Sequence, residues 1–356
     1  MRIGIIGGGQ LGMMLAEAAE KLSHQVFVLE PKENPSVAKT HAIIIPYAYD
    51  DPQGLELLHH NSDVIIYEFE NINIEHIKKY EHKMPQGIKA LKISQDRLIE
   101  KEFASSLGIP TASYIPINSK ADLINGFYPS VLKTTRLGYD GKGQQLIQKL
   151  DELSRCNIDQ PMILETYIDF DYEVSVVLTR DYYGQIAYLP LIKNEHKDGI
   201  LHTSKPLWDG YDDIQMRAFQ YGKMIAEALN YVGTLAIEFF VKDDAVIFNE
   251  MAPRPHNSGH FSIEGATVSQ FENMILAVTN QSVIEPQKTC YSMMFNILGQ
   301  HYDLLRHDYK LNHIFVHDYH KNSVKHNRKI GHITCCADTD DLLNDLEKMM
   351  RGAYHD

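Results

Sequence analysis

The chain has 356 residues, 44% hydrophobic and 23% charged, as in ordinary globular proteins and unlike disordered ones. That length exceeds what one core serves well, so two or three domains are expected. Lys and Arg number 34 against 47 Asp and Glu, a net charge of −13; this argues against non-specific nucleic acid binding and requires any anionic substrate to be held by locally gathered cations.

The cysteines (Cys156, Cys290, Cys335, Cys336) form no CxxC pair and no metal-finger spacing, so neither a disulfide scaffold nor a zinc module is expected. Buried thiols in a reducing cytosol are the expected state. No apolar run reaches about 18 residues, and the start MRIGIIGGGQ lacks a cleavable signal pattern. A soluble, cytoplasmic protein is expected, with no membrane and no nucleic acid partner.

In chain order, Arg2 to Ile6 read as a strand, Gly7 to Gly9 as a turn, Leu11 to Leu22 as a helix and Val26 to Leu29 as a second strand. Ile43 to Pro46 and Val64 to Tyr67 add short buried strands, the pattern of a parallel α/β sheet ending near residue 93. Ser94 to Leu107 is a helix candidate with Ser94 as N-cap. Val131 to Lys133 is a short strand before the loop Gly138 to Gln144, and another strand starts at Gln145. Met162 to Tyr167 and Glu173 to Thr179 alternate as half-buried strands do, and Asp212 to Leu229 turns helical. Leu235 to Val241 and Ala245 to Asn249 form a hairpin around Lys242-Asp243-Asp244. The tail from about 285 is short-stranded and ends in a helix at Thr339 to Met350; no internal repeat is present.

Five signals carry chemistry. Gly7-x-Gly9-x-x-Gly12 lies between a strand and a helix, with Glu30 ending the next strand, which fits a dinucleotide-binding turn. Any strand-to-helix turn facing a phosphate also selects glycines, so the cofactor stays open. The loop Gly138-Tyr139-Asp140-Gly141-Lys142-Gly143-Gln144 follows the strand of Lys133; such backbone wraps polyphosphate, or is a plain glycine hairpin. Glu238 and Glu250 occupy the arms of the hairpin inside apolar runs, where paired carboxylates are costly unless Mg²⁺ bridges them to phosphates or each faces outward. After Glu250 comes Met-Ala-Pro-Arg254-Pro-His256-Asn257-Ser-Gly-His260, a stiff segment rich in anion ligands. A basic group, Lys321, Lys325, Arg328 and Lys329, is either a solvated face or the grip on a substrate phosphate.

The order Lys133, GYDGKGQ, Glu165-Thr166-Tyr167-Ile168, Glu173, Glu238 and Asn249-Glu250 resembles the ATP-grasp ligases. The finer matches IGIIGGGQLG, YEFENI at 67–72, NEHKDGIL at 194–201, APRPHNSGH at 252–260 and RKIGH at 328–332 make it similar to the carboxyaminoimidazole ribonucleotide synthase family, from residue 1 to at least 335. The resemblance implies an α/β chain of three parts. These are a Rossmann-like parallel-sheet domain at 1–93, an ATP-grasp domain at 94–284 with its lid at about 111–168, and a small β-rich C-terminal domain at 285–356. It implies ATP, bicarbonate and 5-aminoimidazole ribonucleotide as substrates, carboxyphosphate as intermediate, Mg²⁺ (two ions) as cofactor, no NAD, and a homodimer.

Carried over residue by residue, the ATP site would comprise Arg97, Lys133, Gly138, Tyr139, Asp140, Gly141, Lys142, Gly143, Gln144, Glu165, Thr166, Tyr167, Ile168, Glu173, His196, Asn249 and Glu250. Glu238 and Glu250 would bind magnesium. Arg254, His256 and Asn257 would hold bicarbonate and carboxyphosphate and, with Lys321, serve catalysis. Gly8, Gln10, Leu11, Glu70, Tyr139, Lys321, Arg328 and Lys329 would hold the ribonucleotide. Many family members have Gly where this chain has Asn327, and a left-handed turn there tolerates Asn. Three other readings compete. One is an ATP-grasp enzyme with a different acceptor. A second is an NAD(P) oxidoreductase, which leaves Glu238, Glu250 and the second glycine loop unexplained. The third is a non-catalytic nucleotide-binding regulator.

Overall fold

The computed structural model describes residues 1–138, 143–209, 213–307, 309 and 313–354. The chain opens with four parallel strands, β1 (Arg2–Ile6), β2 (Gln25–Leu29), β3 (Ile43–Ile45) and β4 (Val64–Tyr67), in the order β3-β2-β1-β4. Except at Ile43 and Ile44 of the edge strand β3, their Ile and Val side chains are buried on both faces, as a parallel sheet requires. Between β1 and the helix Gln10–Lys21 the backbone turns at Gly7, whose φ of 109° suits only glycine. Gly12 packs so closely that a Cβ there would lie 2.3 Å from the Gly7 carbonyl oxygen.

A small antiparallel sheet follows, β5 (Tyr114–Ile117), β6 (Ser130–Thr134), β7 (Gln144–Ile147) and β8 (Met162–Thr166), in the order β5-β8-β6-β7. The remaining strands are β9 (Tyr172–Arg180), β10 (Ile186–Tyr188), β11 (Leu191–Lys197), β12 (Ile200–Leu207), β13 (Gly233–Lys242), β14 (Ala245–Ala252), β15 (Tyr291–Leu298), β16 (Ile314–Asp318) and β17 (Lys329–Ala337). They form one nine-stranded sheet, β14-β13-β9-β11-β12-β15-β17-β16, with β10 on β9.

The elements differ from the sequence reading at four places. Ser94 does not cap a helix: it ends the helix Ile88–Ser94, and Asp96 caps Arg97–Ser106 by accepting the Leu98 N–H at 3.1 Å. A carboxylate just ahead of the helix satisfies its free N–H groups, so the chain breaks between the two. Strand β9 does not alternate, because both its faces are covered. Val174, Val176 and Leu178 pack in the core under the helix Asp213–Leu229, and Val177 faces Phe261 and Met294. Nor is the tail short-stranded: β15 and β17 have eight and nine residues and extend the central sheet through β12. The β11–β12 hairpin was not apparent from periodicity, since Lys193-Asn194-Glu195-His196-Lys197 looks like a solvated loop. Among the described residues, no helix is long and apolar enough to cross a membrane.

Candidate active site

The site gathers where the three sheets meet. In β13 and β14, Glu238 and Glu250 are direct cross-strand partners, and the extra residue in the register shift is Asn249, a bulge that re-aims this end of the hairpin. The Glu238 side chain is 15% exposed, with Oε1 3.4 Å from His256 Nε2. Burial pushes its carboxyl up to about 7; Glu250 and Glu173 add to this, while His196 and Lys329 oppose it. Among the described residues no group of three or more His, Cys, Asp or Glu is placed to hold a metal. Two facing carboxylates that would share an ion with nucleotide phosphate oxygens suit magnesium, which takes few protein ligands.

Three elements converge on Glu165 of β8. Its Oε2 lies 3.0 Å from Lys133 Nζ of β6 and 3.3 Å from Lys101 Nζ, and Lys101 also donates to the Phe248 carbonyl of β14 at 3.2 Å. Burial alone would raise the Glu165 carboxyl, but Lys133 and Lys101 outweigh it and hold it below the usual range. Arg97 donates to the carbonyls of Thr134 and Gly138 at 3.1 and 3.2 Å and stands 3.7 Å from Glu250. The adjacent Glu100 is buried and accepts the Met251 N–H at 2.8 Å; burial and Glu250 push its carboxyl well up. Glu173 of β9 and His196 of β11 are 2.6 Å apart. Burial disfavours the charged imidazole, yet Glu173 and Glu238 win and its pKa is raised.

The segment after β14 carries the residues expected to bind anions. Arg254 Nε approaches Glu70 Oε1 to 2.7 Å without an aligned hydrogen bond, and Nη1 donates to the Pro255 carbonyl. His256 accepts the Ser258 N–H at Nδ1, which places its ring proton on Nε2, toward Glu238. Burial first, then Arg254 and Lys329, keep this imidazole neutral. Both amide atoms of Asn257 are buried without a protein partner, an arrangement that anticipates a ligand.

A cleft of about 200 Å³ is lined by Glu70, Arg97, Gly138, Glu238, Glu250, Arg254, His256 and Lys329. A second, of about 910 Å³, is lined by Gln10, Leu11, Glu68, Arg254, His256, Asn257, Lys321, Lys325, Arg328 and Lys329, among others. Lys321 is half-buried and donates to Gln10 Oε1 at 2.6 Å; Lys325 is exposed. Burial lowers the Lys321 ammonium to about 8 against the pull of Glu68. Asn327 is left-handed at φ 59°, as a glycine would be.

Other predicted residues stand apart from these two clefts. Gly8 borders a smaller adjoining cavity with Lys321 and Arg328, and its N–H is spent on Glu30 at 2.9 Å. The Gly9 N–H is likewise spent on Glu68 at 3.0 Å, so the Gly8 and Gly9 amides of the glycine turn face the protein's own carboxylates. The Thr166 and Tyr167 N–H groups are engaged by the Ser113 and Pro129 carbonyls; Ile168 is half-buried just beyond. Gly143, at φ 76°, precedes β7, which exposed Gln144 begins. Tyr139, Asp140, Gly141 and Lys142 lie outside the described residues. Sequence reasoning passed over Glu68, Glu100 and Lys101; the i, i+4 spacing of Arg97 and Lys101 was the one signal that could have joined Lys101 to the site.

Known proteins match the chain along nearly its whole length. A ribonucleotide synthetase preATP-grasp domain matches residues 1–95, an ATP-grasp domain 102–271, and a phosphoribosylaminoimidazole carboxylase C-terminal domain 292–345. The N5-carboxyaminoimidazole ribonucleotide synthase of Staphylococcus epidermidis is 39% identical over 98% of this chain and 95% of its own. The ADP complex of purK, an N5-carboxyaminoimidazole ribonucleotide synthetase, superposes with a TM-score of 0.94 at 36% identity, over 99% of this chain and 97% of that one. The synthetase of Thermus thermophilus gives 0.91 at 35% identity, over 99% and 98%.

Proposed function

The chain belongs to the N5-carboxyaminoimidazole ribonucleotide synthase family of ATP-grasp carbon–nitrogen ligases, and from that premise we propose how its residues perform ATP-dependent carboxylation of 5-aminoimidazole ribonucleotide in purine biosynthesis. A bicarbonate oxygen attacks the γ-phosphorus of ATP and ADP departs, leaving carboxyphosphate. The exocyclic amine attacks the carboxyl carbon of carboxyphosphate, or of CO₂ released from it. The new N–C bond forms, the amine proton is lost, and phosphate is released. The observation that carries this reading is that Arg254, His256 and Lys329 line both clefts, so nucleotide and ribonucleotide meet across one wall.

In this reading Arg97, Lys133, Glu165 to Ile168, Glu173, His196, Asn249 and the glycine loop hold ATP. Glu238 and Glu250 would hold the magnesium that neutralises developing charge on the phosphates. Arg254 offers a fork of donors to the carboxylate and phosphoryl oxygens, and the unpartnered amide of Asn257 adds a donor. The neutral His256 hydrogen-bonds without adding charge. Lys321, Arg328 and Lys329 grip the ribonucleotide phosphate, with Gln10, Leu11 and Glu70 along its wall. The domain limits at 93 and 284, the homodimer and the cytoplasmic location belong to the same proposal.

The test is ADP release from ATP, Mg²⁺ and bicarbonate, with and without 5-aminoimidazole ribonucleotide. Strong stimulation by the ribonucleotide that disappears when bicarbonate is stripped is the expected result. ATP binding without stimulation would move the acceptor to another metabolite.

A further inference from the structure

Two glutamine side chains, 2% and 1% exposed, hold the backbone on either side of Arg254. Gln270 opens the helix Gln270–Val278 and points its amide at the anion-binding segment. Its Oε1 accepts the His256 N–H at 2.9 Å, and its Nε2 donates to the His256 carbonyl at 2.7 Å and to His260 Nδ1 at 3.0 Å. Gln86 does the same from the first domain. Its Oε1 accepts the Tyr67 N–H at 2.9 Å, and its Nε2 donates to the carbonyls of Tyr67 at 3.1 Å and Pro253 at 2.8 Å. The Pro253 carbonyl also accepts the Tyr231 hydroxyl at 2.6 Å.

Each amide therefore completes both polar groups of one residue, as a strand neighbour would, and spends its second N–H on another part of the site. The peptide group of Gln270 is itself fixed: its carbonyl accepts Thr234 Oγ1, and its N–H donates to Ser262 Oγ. Gly259 is packed against the Gln270 amide, where a Cβ would stand 2.7 Å from Oε1 and 3.0 Å from Nε2. Arg254 and His256 thus project from peptide units whose neighbours are pinned, and Gln86 ties Arg254 to the end of β4, just ahead of its ion-pair partner Glu70.

We infer that Gln270 and Gln86 are positioning residues that keep Arg254 and His256 aligned with the nucleotide, so that the activated carboxyl group reaches the amine instead of water. The inference rests on the function proposed above and concerns coupling: a wet or shifted anion segment lets carboxyphosphate hydrolyse, and ATP is consumed without product.

The experiment measures ADP and product together in the full chain, with ¹³C-labelled bicarbonate reporting carboxylation, and runs the unsubstituted chain in parallel. Gln270→Leu should lower product kcat about 100-fold, the scale of a misplaced reacting group. ADP release should fall less, so ADP per product rises from near one to about ten while the KM for ATP stays within about twofold. Gly259→Ala, which crowds the amide without removing it, and Gln86→Leu should uncouple in the same direction. Gln270→Glu places a carboxylate against the His256 carbonyl. Its activity relative to the unsubstituted chain should recover as pH falls, because the protonated carboxyl again donates. If the Leu and Ala variants keep ADP per product near one, the glutamines are structural supports only and the inference is overturned. If the unsubstituted chain shows no ribonucleotide-dependent ADP release, the functional reading itself falls, and the inference with it.

Discussion

Glu238 offers the sharpest quantitative test. Its carboxyl faces Glu250 across the hairpin, is largely buried, and is pushed up to about 7. Magnesium binds only the ionised form, so metal–nucleotide binding must expel whatever proton Glu238 holds. With a raised pKa the protonated form gains as pH falls, so affinity is lost on the acid side of 7. The proton is present in about nine of ten empty sites at pH 6, half at pH 7 and one in ten at pH 8. Apparent affinity for the magnesium complex of a non-hydrolysable ATP analogue should therefore drop about tenfold from pH 8 to pH 6, or about 1.4 kcal/mol. The nucleotide titrates in the same range, so the informative quantity is the difference between the wild-type chain and Glu238→Gln. Calorimetry in two buffers of different ionisation enthalpy should find about half a proton more released by the wild type at pH 7. Equal proton release from both would refute the assignment of Glu238 to the metal.

Glu250→Gln should abolish turnover, because the facing pair loses one of the two charges that would hold the metal; retained activity in the ADP assay would remove Glu250 from the metal site. Arg254→Lys should lower kcat/KM for bicarbonate about 100-fold although its charge is kept, since an ammonium cannot reproduce the fork; near-normal kinetics would contradict an oxyanion role. Lys329→Ala should raise the KM for the ribonucleotide about tenfold and that for ATP little; equal effects on both would displace Lys329 from the phosphate. Lys101→Met should cost about 3 kcal/mol of stability, seen as a lower thermal midpoint, because Glu165 stays buried with Lys133 alone. An unchanged midpoint would show that Lys133 and solvent suffice.

How much of this was legible depended on the range of the interactions. The β13–β14 hairpin was readable because apolar runs flank a turn whose Asp243 and Asp244 take positive φ, 47° and 61°. The register that turn sets would put Asn249 opposite Glu238; the bulge at Asn249, which no local signal announced, brings Glu250 there instead. The helix start at Arg97 was misread because Ser and Asp both cap helices and nothing local chooses between Ser94 and Asp96. Strand β11 was missed because its polar residues are covered by distant partners: Asn194 donates to Ser175 and accepts from Ser204, and Arg351 pairs with Glu195 at 2.6 Å.

The same distance dependence explains which site residues escaped notice. A buried charge is tolerable only with its partner, and the partners of the helical Lys101 lie at Glu165 and Phe248, on two different sheets. Gln86 and Gln270 carry no charge and no motif, and their meaning appears only when Pro253 and His256 arrive beside them. Residues proposed to touch substrates reveal themselves by chemical type: Arg254, His256 and the basic group are groups an anionic substrate would call for. Residues that aim them need only be shaped to fit a backbone, and many side chains satisfy that requirement in a sequence. Uncoupled ATP hydrolysis without loss of nucleotide affinity is the signature that separates the two classes, because it requires an intact nucleotide site beside a misaligned anion segment.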